Sequence, residues 1–433
     1  MTPLVLDAGG LHPAITDPAV ESVGFLNEAL ARYPDAISFA PGAPHASFVD
    51  AVDLDACVRR FVAHLERDRG LDAVRARRRV REYGPSRGII GHLVAEALTR
   101  DHGFPVDESA VLITAGCQEG MLLAVRALCA GPGDLLAVVD PSFVGILGAA
   151  RLLGVPVVPV PETAGGLDLD ELRRLCRTAR DAGRRVRALY VAPDHANPSG
   201  TVLDHATRLA LLELAAREDL VLLEDIAYGF TGVPGAAPPS LKALDRDGRV
   251  VVLGTFAKVC LPGARVGFVV ADQRVRDART GRVTSLAGTM AALKTMVTVS
   301  TSAIAQAVIG GLLLQHGGSL AELGRLKAEV YRRNLALLLG ALDRHLDDAG
   351  PGVSWNRPTG GFFVRMRIPV RADMGLLERC AREHRVLWTP MAPFYLGATG
   401  DNELRLACSY LDPPEIEEGA RRLAGFLREV RTA

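Results

Sequence analysis

Between residues 109 and 271 the chain alternates short aliphatic and β-branched runs with segments whose apolar positions recur every three or four residues. The runs are "SAVLITAG" (109–116), "DLLAVVDPSF" (134–143), "VPVVPVP" (155–161), "VRALYVAP" (186–193), "DLVLLEDIAY" (219–228), "GRVVVLGTF" (248–256) and "RVGFVVA" (265–271). Between them lie amphipathic segments such as "CQEGMLLAVRALCA" and "TRLALLELAARE", which carry the helical period. Strands separated by helices cannot pair as tight hairpins and need crossover connections. The pattern therefore predicts an α/β fold, a three-layer sandwich whose mainly parallel central sheet is covered by helices on both faces.

After about residue 305 the pattern changes. One long helix, "SLAELGRLKAEVYRRNLALLLGALDRHL", precedes "VSWNRPTGGFFVRMRI", a further helix, a short strand around Glu403–Cys408 and a terminal helix. This reads as a smaller α+β unit that the N-terminal segment joins. At 433 residues the chain exceeds the usual reach of one core. The expected division is a large domain over 51–304 and a small domain made of 1–50 and 305–433.

Lys+Arg and Asp+Glu balance at 50 each, so no basic excess points to nucleic acid and no acidic excess to a disordered tail. The run "VRARRRVREYG" (74–84) reads as a solvated helix or loop. No apolar stretch of about 20 residues is free of Gly, Pro or charge, which argues against a membrane span. The first residues lack a secretory signal pattern. Seven scattered cysteines without a C-x-x-C suit reduced thiols and a cytoplasmic location. The histidines never fall into metal-ligand spacing, so no metal is expected.

Ligands of a parallel α/β sheet collect at the C-terminal ends of its strands, and polar residues stand at those ends here. Gly116-Cys117-Gln118 opens a helix, whose free N–H groups suit a phosphate. Asn197 stands in the turn "NPSG", and Asp225 and Tyr228 in "DIAYG". A carboxylate after a buried apolar strand needs a partner, and a protonated ring nitrogen is one. Lys258 follows "VVLGTFA", with Arg265 seven residues on. The chain has 46 arginines and only four lysines: Lys242, Lys258, Lys294 and Lys327. A lysine amine forms Schiff bases, and burial lowers its pKa toward the working range, whereas a guanidinium stays protonated. Singly these residues read as a tight turn, a loop, a capping carboxylate and a surface lysine. Together, on successive strand ends, they match what pyridoxal 5′-phosphate needs from a protein.

At these residues the sequence resembles the class I/II aminotransferases, fold-type-I pyridoxal phosphate enzymes of the aspartate aminotransferase superfamily. The resemblance runs from about Ile37 to Arg428. "ISFAPGAP", which contains Gly42, is similar to the family's N-terminal Gly-x-Pro loop, and "YGPSRG" to its Tyr-x-x-x-x-Gly segment. "NPSG", "DIAY" and "TFAKVCLPGARVG" resemble its Asn-Pro-x-Gly, its Asp-x-x-Tyr and its lysine segment with the following arginine. "NELRLACSY" resembles the late segment whose arginine binds the substrate α-carboxylate.

The resemblance implies roles. Lys258 is the internal-aldimine lysine and proton shuttle, Asp225 pairs with the pyridine nitrogen, and Asn197 and Tyr228 bond the phenolic oxygen. Phe143 stacks on the ring, and Gly116, Cys117, Gln118, Thr255 and Arg265 hold the phosphate. Arg405, with Asn197 and Gly42, binds the substrate. Tyr83 reaches the cofactor of a neighbouring subunit, which makes the protein a homodimer with shared active sites. The implied activity is transfer of an α-amino group from an amino acid to a 2-oxo acid through aldimine and quinonoid intermediates.

Departures from the family pattern are Ala196 after the unusual Asp194-His195, His92-Leu93-Val94 after the tyrosine segment, and Cys117 at a position usually small or hydroxylated. None removes a catalytic group. They motivate an alternative on the same scaffold: γ-elimination or replacement, cyclisation or oxidation of an amino acid or an S-adenosylmethionine-like substrate. A pyridoxal-phosphate-binding transcription regulator is a third reading, set against by the roughly 35 residues that precede "ISFAPGAP". A dinucleotide-binding oxidoreductase lacks its G-x-G-x-x-G.

Overall fold

A computed structural model of the chain describes residues 3–16, 28, 31–163, 166–236, 238–346, 352–397 and 399–432. Its centre is a seven-stranded sheet. Across it the strands run Val111–Thr114, Gly267–Val270, Val250–Thr255, Val221–Asp225, Arg185–Val191, Asp134–Asp140 and Val157–Pro161. Five strands, from Val250–Thr255 to Val157–Pro161, are mutually parallel. Gly267–Val270 is antiparallel to both neighbours. Its link from Val250–Thr255 is the loop 256–266, with no crossover helix, and adjacent strands joined by so short a link run antiparallel.

The central strands are apolar on both faces because both are covered. Leu222, Val250 and Val252 enter one core with Leu211 and Leu214, while Leu223, Val251 and Leu253 enter the other with Met121, Ile146 and Met290. This is the period-two alternation of a strand buried on two sides. Pro159 and Pro161 fall on the edge strand, where a missing N–H leaves no central ladder bond unmade.

A second, four-stranded antiparallel sheet orders Ser354–Trp355, Phe363–Arg367, Glu403–Ala407 and Thr389–Pro390. Helices Leu320–Leu346, Met374–His384 and Pro413–Thr432 cover it through Leu338, Leu342, Leu377 and Leu423. Ile37–Ser38 pairs in parallel with Val386–Leu387, so the N-terminal segment lies against this unit. The long helix spans both cores: Leu323 packs in the first, Leu335 and Leu338 in the second. Helix Ala303–Gln315 buries Ala307, Ile309 and Leu313 in the core of the large sheet, although the sequence reading divides the chain at 304/305. The basic run forms helix Ala73–Arg79, with Ala76 buried and the arginines exposed. Among the described residues no helix is long and apolar enough to cross a membrane.

Candidate active site

Two cavities meet where the carboxyl ends of the large sheet face the small sheet. They share Phe143, Asn197, Tyr228 and Lys258.

The inner cavity lies over the ends of the parallel strands. Asp225 is the last residue of its strand and is buried. Its Oδ2 accepts from the Tyr190 hydroxyl at 2.7 Å, and its Oδ1 from the Ala227 N–H at 3.0 Å. Burial holds the Asp225 carboxyl above its ordinary pKa, while these two donors and Lys258 pull it back. Lys258, in the loop after Val250–Thr255, donates from Nζ to the Gly42 carbonyl. Burial pushes its amine down to about 8; the Arg405 and Arg265 charges act the same way and Asp225 opposes them.

At the far side of this cavity Gly116 caps helix Cys117–Leu128 with φ of +80°, and no side chain caps that N-terminus. A Cβ on Gly116 would lie 2.5 Å from the Arg265 guanidinium, so only glycine leaves the helix N-terminus and the arginine side by side. Arg265 itself has φ of +50°. Thr255, Cys117 and Gln118 also line the cavity. Thr255 Oγ1 accepts from the Ala257 N–H at 3.1 Å, and Gln118 is exposed. Burial raises the Cys117 thiol well above its ordinary pKa, which disfavours the reactive thiolate.

The outer cavity is walled by Val144, Phe363, Met374, Pro390, Pro393 and Phe394, with Arg405 inside it. Arg405 comes from strand Glu403–Ala407 and is buried. Its Nη1 donates to Asn197 Oδ1 at 2.7 Å; its Nη2 donates to the Ala40 carbonyl at 2.9 Å and to Thr389 Oγ1 at 3.3 Å. Its Nε is buried without a protein partner. The guanidinium stacks 4.3 Å from the Phe363 ring centre and 5.0 Å from that of Phe394. Burial lowers its pKa to about 10, with Tyr228 opposing the shift. The Tyr228 ring meets Phe362 and Phe363 edge-on at 5.2 and 5.4 Å, and burial raises its phenol above the usual range. A Cβ on Gly42 would come within 2.6 Å of Phe363.

The residues singled out in the sequence thus converge, with one exception. Gly42, Gly116, Cys117, Gln118, Phe143, Asn197, Asp225, Tyr228, Thr255, Lys258, Arg265 and Arg405 lie in or beside the two cavities. Tyr83 lines neither and is 91% exposed. The sequence reading missed Tyr190, which sits in the apolar run "VRALYVAP" one strand position before the strand ends at Val191. Its signal was a lone hydroxyl in the apolar, buried second half of the strand, a group that needs a hydrogen-bond partner. Phe363, Met374, Thr389 and Phe394 were also missed, for they carry no motif of their own.

Pyridoxal 5′-phosphate fits what is built here. A buried carboxylate with a phenol behind it awaits a cationic ring nitrogen, a glycine-made gap joins a helix N-terminus to an arginine, and a lysine amine of lowered pKa lies between them. Fold and site together define a pyridoxal-phosphate-dependent enzyme of fold type I. The model of the family "Aminotransferase class I and II" matches residues 56–423, and the chain belongs to that family.

A curated relative from Amycolatopsis orientalis, an (S)-3,5-dihydroxyphenylglycine transaminase, is 45% identical over 96% of this chain and 93% of its own length. The 2-aminoadipate transaminase of Thermus thermophilus is 31% identical over 92% of each chain. Among solved structures, an archaeal alanine:glyoxylate aminotransferase superposes with TM-score 0.82 at 26% identity, covering 98% of this chain and all of that one. LysN, an α-aminoadipate aminotransferase also from Thermus thermophilus, was solved with N-(5′-phosphopyridoxyl)-L-leucine. It gives TM-score 0.79 at 27% identity over 98% and 99% of the two chains.

The protein is accordingly a pyridoxal-phosphate-dependent aminotransferase that moves the α-amino group of an amino acid to a 2-oxo acid. The alternative of elimination, cyclisation or oxidation is not favoured by these relatives.

Proposed function

We propose that the amino donor is an aromatic, arylglycine-like amino acid, held in the outer cavity with its α-carboxylate on Arg405. The observation that carries this is the wall of the cavity. Phe363, Phe394, Met374, Pro390 and Pro393 offer apolar surface, and Arg405 and Lys258 are the only charged side chains among the described residues that line it. A side chain bearing its own carboxylate would be desolvated there without a counter-charge, which is costly; an aryl group replaces water on apolar surface. The relative named for (S)-3,5-dihydroxyphenylglycine supports the same class.

The cofactor, when bound, supplies an aldehyde for the amine and a cationic ring that withdraws electrons from the substrate α-carbon. In this reading Gly116, Cys117, Gln118, Thr255 and Arg265 receive its phosphate. Asp225, backed by Tyr190, keeps the proton on its ring nitrogen. Asn197 and Tyr228 bond its phenolic oxygen, and Phe143 packs on its ring. Lys258 Nζ would hold its aldehyde carbon. As a free amine, Lys258 would take the proton from the substrate α-carbon and hand it on, as a general base whose pKa of about 8 suits the task. Arg405 holds the α-carboxylate through charge-assisted bonds and so orients the α-hydrogen.

The exposure of Tyr83, together with exposed Leu152 and Val297 lining one surface hollow, supports a homodimer in which Tyr83 serves the neighbouring site. Sedimentation of the active species as a monomer contradicts that part. The cytoplasm suits seven cysteines that are all free. We further read residues 51–304 as the large domain and 1–50 with 305–433 as the small one, with helix Ala303–Gln315 crossing that boundary to pack on the large core and the long helix joining the two. An amino-acid panel with 2-oxo-acid acceptors tests the donor class: phenylglycines or aromatic amino acids are expected to exceed aspartate and glutamate at least about tenfold in kcat/KM. Preference for a dicarboxylic donor overturns the reading.

A further inference from the structure

Lys294 is wholly buried, lines neither cavity and has no part in the chemistry above. It projects from helix Leu286–Val297, and its Nζ donates to Glu119 Oε2 at 2.7 Å and to Thr298 Oγ1 at 2.6 Å. Thr298 Oγ1 in turn donates to Glu119 Oε1 at 2.6 Å. Glu119, 8% exposed, stands in the first turn of helix Cys117–Leu128, and its Oε2 also accepts from the Ala115 N–H at 2.6 Å. One carboxylate therefore ties the residue before Gly116 to the first turn of the helix after it.

The placement raises an electrostatic problem. A phosphate received at the N-terminus of this helix would lie within about one turn of the Glu119 carboxylate, and two such anions repel, the more strongly the less water screens them. Arg265 alone cannot neutralise both. A buried ammonium on Glu119 removes the conflict by turning the carboxylate into one half of a neutral pair. Lysine supplies a compact charge that fits among Glu119 and Thr298, where arginine's planar fork demands more room. The chain's use of lysine agrees. Three of the four lysines are buried and Lys258 is half-buried, while the surface is written with arginine.

We propose that Lys294 and Glu119 are positioning residues for the cofactor phosphate: Glu119 braces the Ala115–Gly116 turn, and Lys294 cancels the charge that would otherwise repel the phosphate. This rests on the reading that Gly116, Cys117, Gln118 and Arg265 receive that phosphate. An ordinary structural ion pair between two helices would stabilise the fold but show no preference for a phosphorylated ligand, and that difference is measurable.

The experiment titrates apoprotein with pyridoxal 5′-phosphate and, separately, with pyridoxal, which has the same ring and aldehyde but no phosphate. Binding is read from the visible absorbance. Lys294→Met is expected to weaken pyridoxal 5′-phosphate at least about tenfold and to leave pyridoxal within about twofold. The double variant Glu119→Gln/Lys294→Met removes both charges but keeps an acceptor for Ala115, and is expected to regain most of that loss. Equal weakening of both ligands, or none, overturns the proposal. Should Lys294→Met not fold, Glu119→Ala/Lys294→Met takes its place, because it leaves no unpaired charge. It is expected to weaken only the phosphorylated ligand, and wild-type values for both ligands overturn the proposal. Arg265→Met separates the two levels. If it too discriminates against the phosphorylated ligand while the Lys294 variants do not, the inference alone fails. If Arg265→Met shows no discrimination, the phosphate reading fails and takes the inference with it.

Discussion

The inner and outer cavities share four residues yet are assembled in different ways. The inner one draws on residues 117–265, nearly all at the ends of adjacent strands of one sheet. The outer one gathers Gly42, Phe143, Val144, Phe363, Met374, Thr389, Phe394 and Arg405, which come from distant parts of the sequence and from two cores. A single rigid sheet fixes the groups that must hold a cofactor of constant shape. The wall that meets the variable part of the substrate spans two units, where loops and side chains change without disturbing those groups. The contrast teaches that cofactor loading and substrate choice are separable properties of this chain.

Substitutions can break or sharpen that separation. The largest effect is expected at the inner cavity. Asp225→Ala should lower kcat by about 10²–10³-fold or more, the scale for removing one preorganised electrostatic partner, with a far smaller change in KM. Steady-state kinetics with saturating cofactor check this. Arg405→Lys should raise KM for the amino donor by about ten- to a hundredfold, since a charged hydrogen bond contributes roughly 1.5–3 kcal/mol and lysine lacks the fork. Cofactor affinity should stay within about twofold. A parallel loss of cofactor would mean that the two cavities are not separable.

The pH dependence of cofactor capture is expected to be smaller in size but sharper in meaning. Only the neutral Lys258 amine attacks the aldehyde, and its pKa is lowered to about 8. Capture by apoprotein should therefore rise with pH and level off above about 8 instead of climbing toward 10. Arg405 is one cause of that lowering, so Arg405→Met should move the midpoint upward. Stopped-flow absorbance across pH reads both. The smallest effect belongs to Tyr190→Phe, which removes one donor from Asp225 and should cost about 0.5–1.5 kcal/mol, a few-fold to about tenfold in kcat.

The same contrast explains what the sequence revealed. Asp225, Lys258 and Arg265 were legible because each lies within a few residues of a strand end, and strand ends can be read from local apolar runs. Tyr190 was not, because its meeting with Asp225 depends on which strands are neighbours and in what register. Here Tyr190 is paired with Leu223, two residues before the acid. Phe394 and Met374 were silent for a similar reason: only the small sheet and its packing bring them to Arg405. The strand Gly267–Val270 was visible as a strand, but its direction follows from the loop that carries Lys258. Residues 305–315 read as part of the smaller unit because the strand–helix alternation had stopped. Their burial against the large core is a tertiary fact with no local signature.

The central claim, that Lys258 is the amine that holds the cofactor, has a direct test in the visible spectrum of Lys258→Ala titrated with pyridoxal 5′-phosphate. The expected result is loss of the absorbance band of the lysine-bound aldehyde, with the cofactor still retained by the groups around its phosphate and ring. An unchanged band in that variant would contradict it.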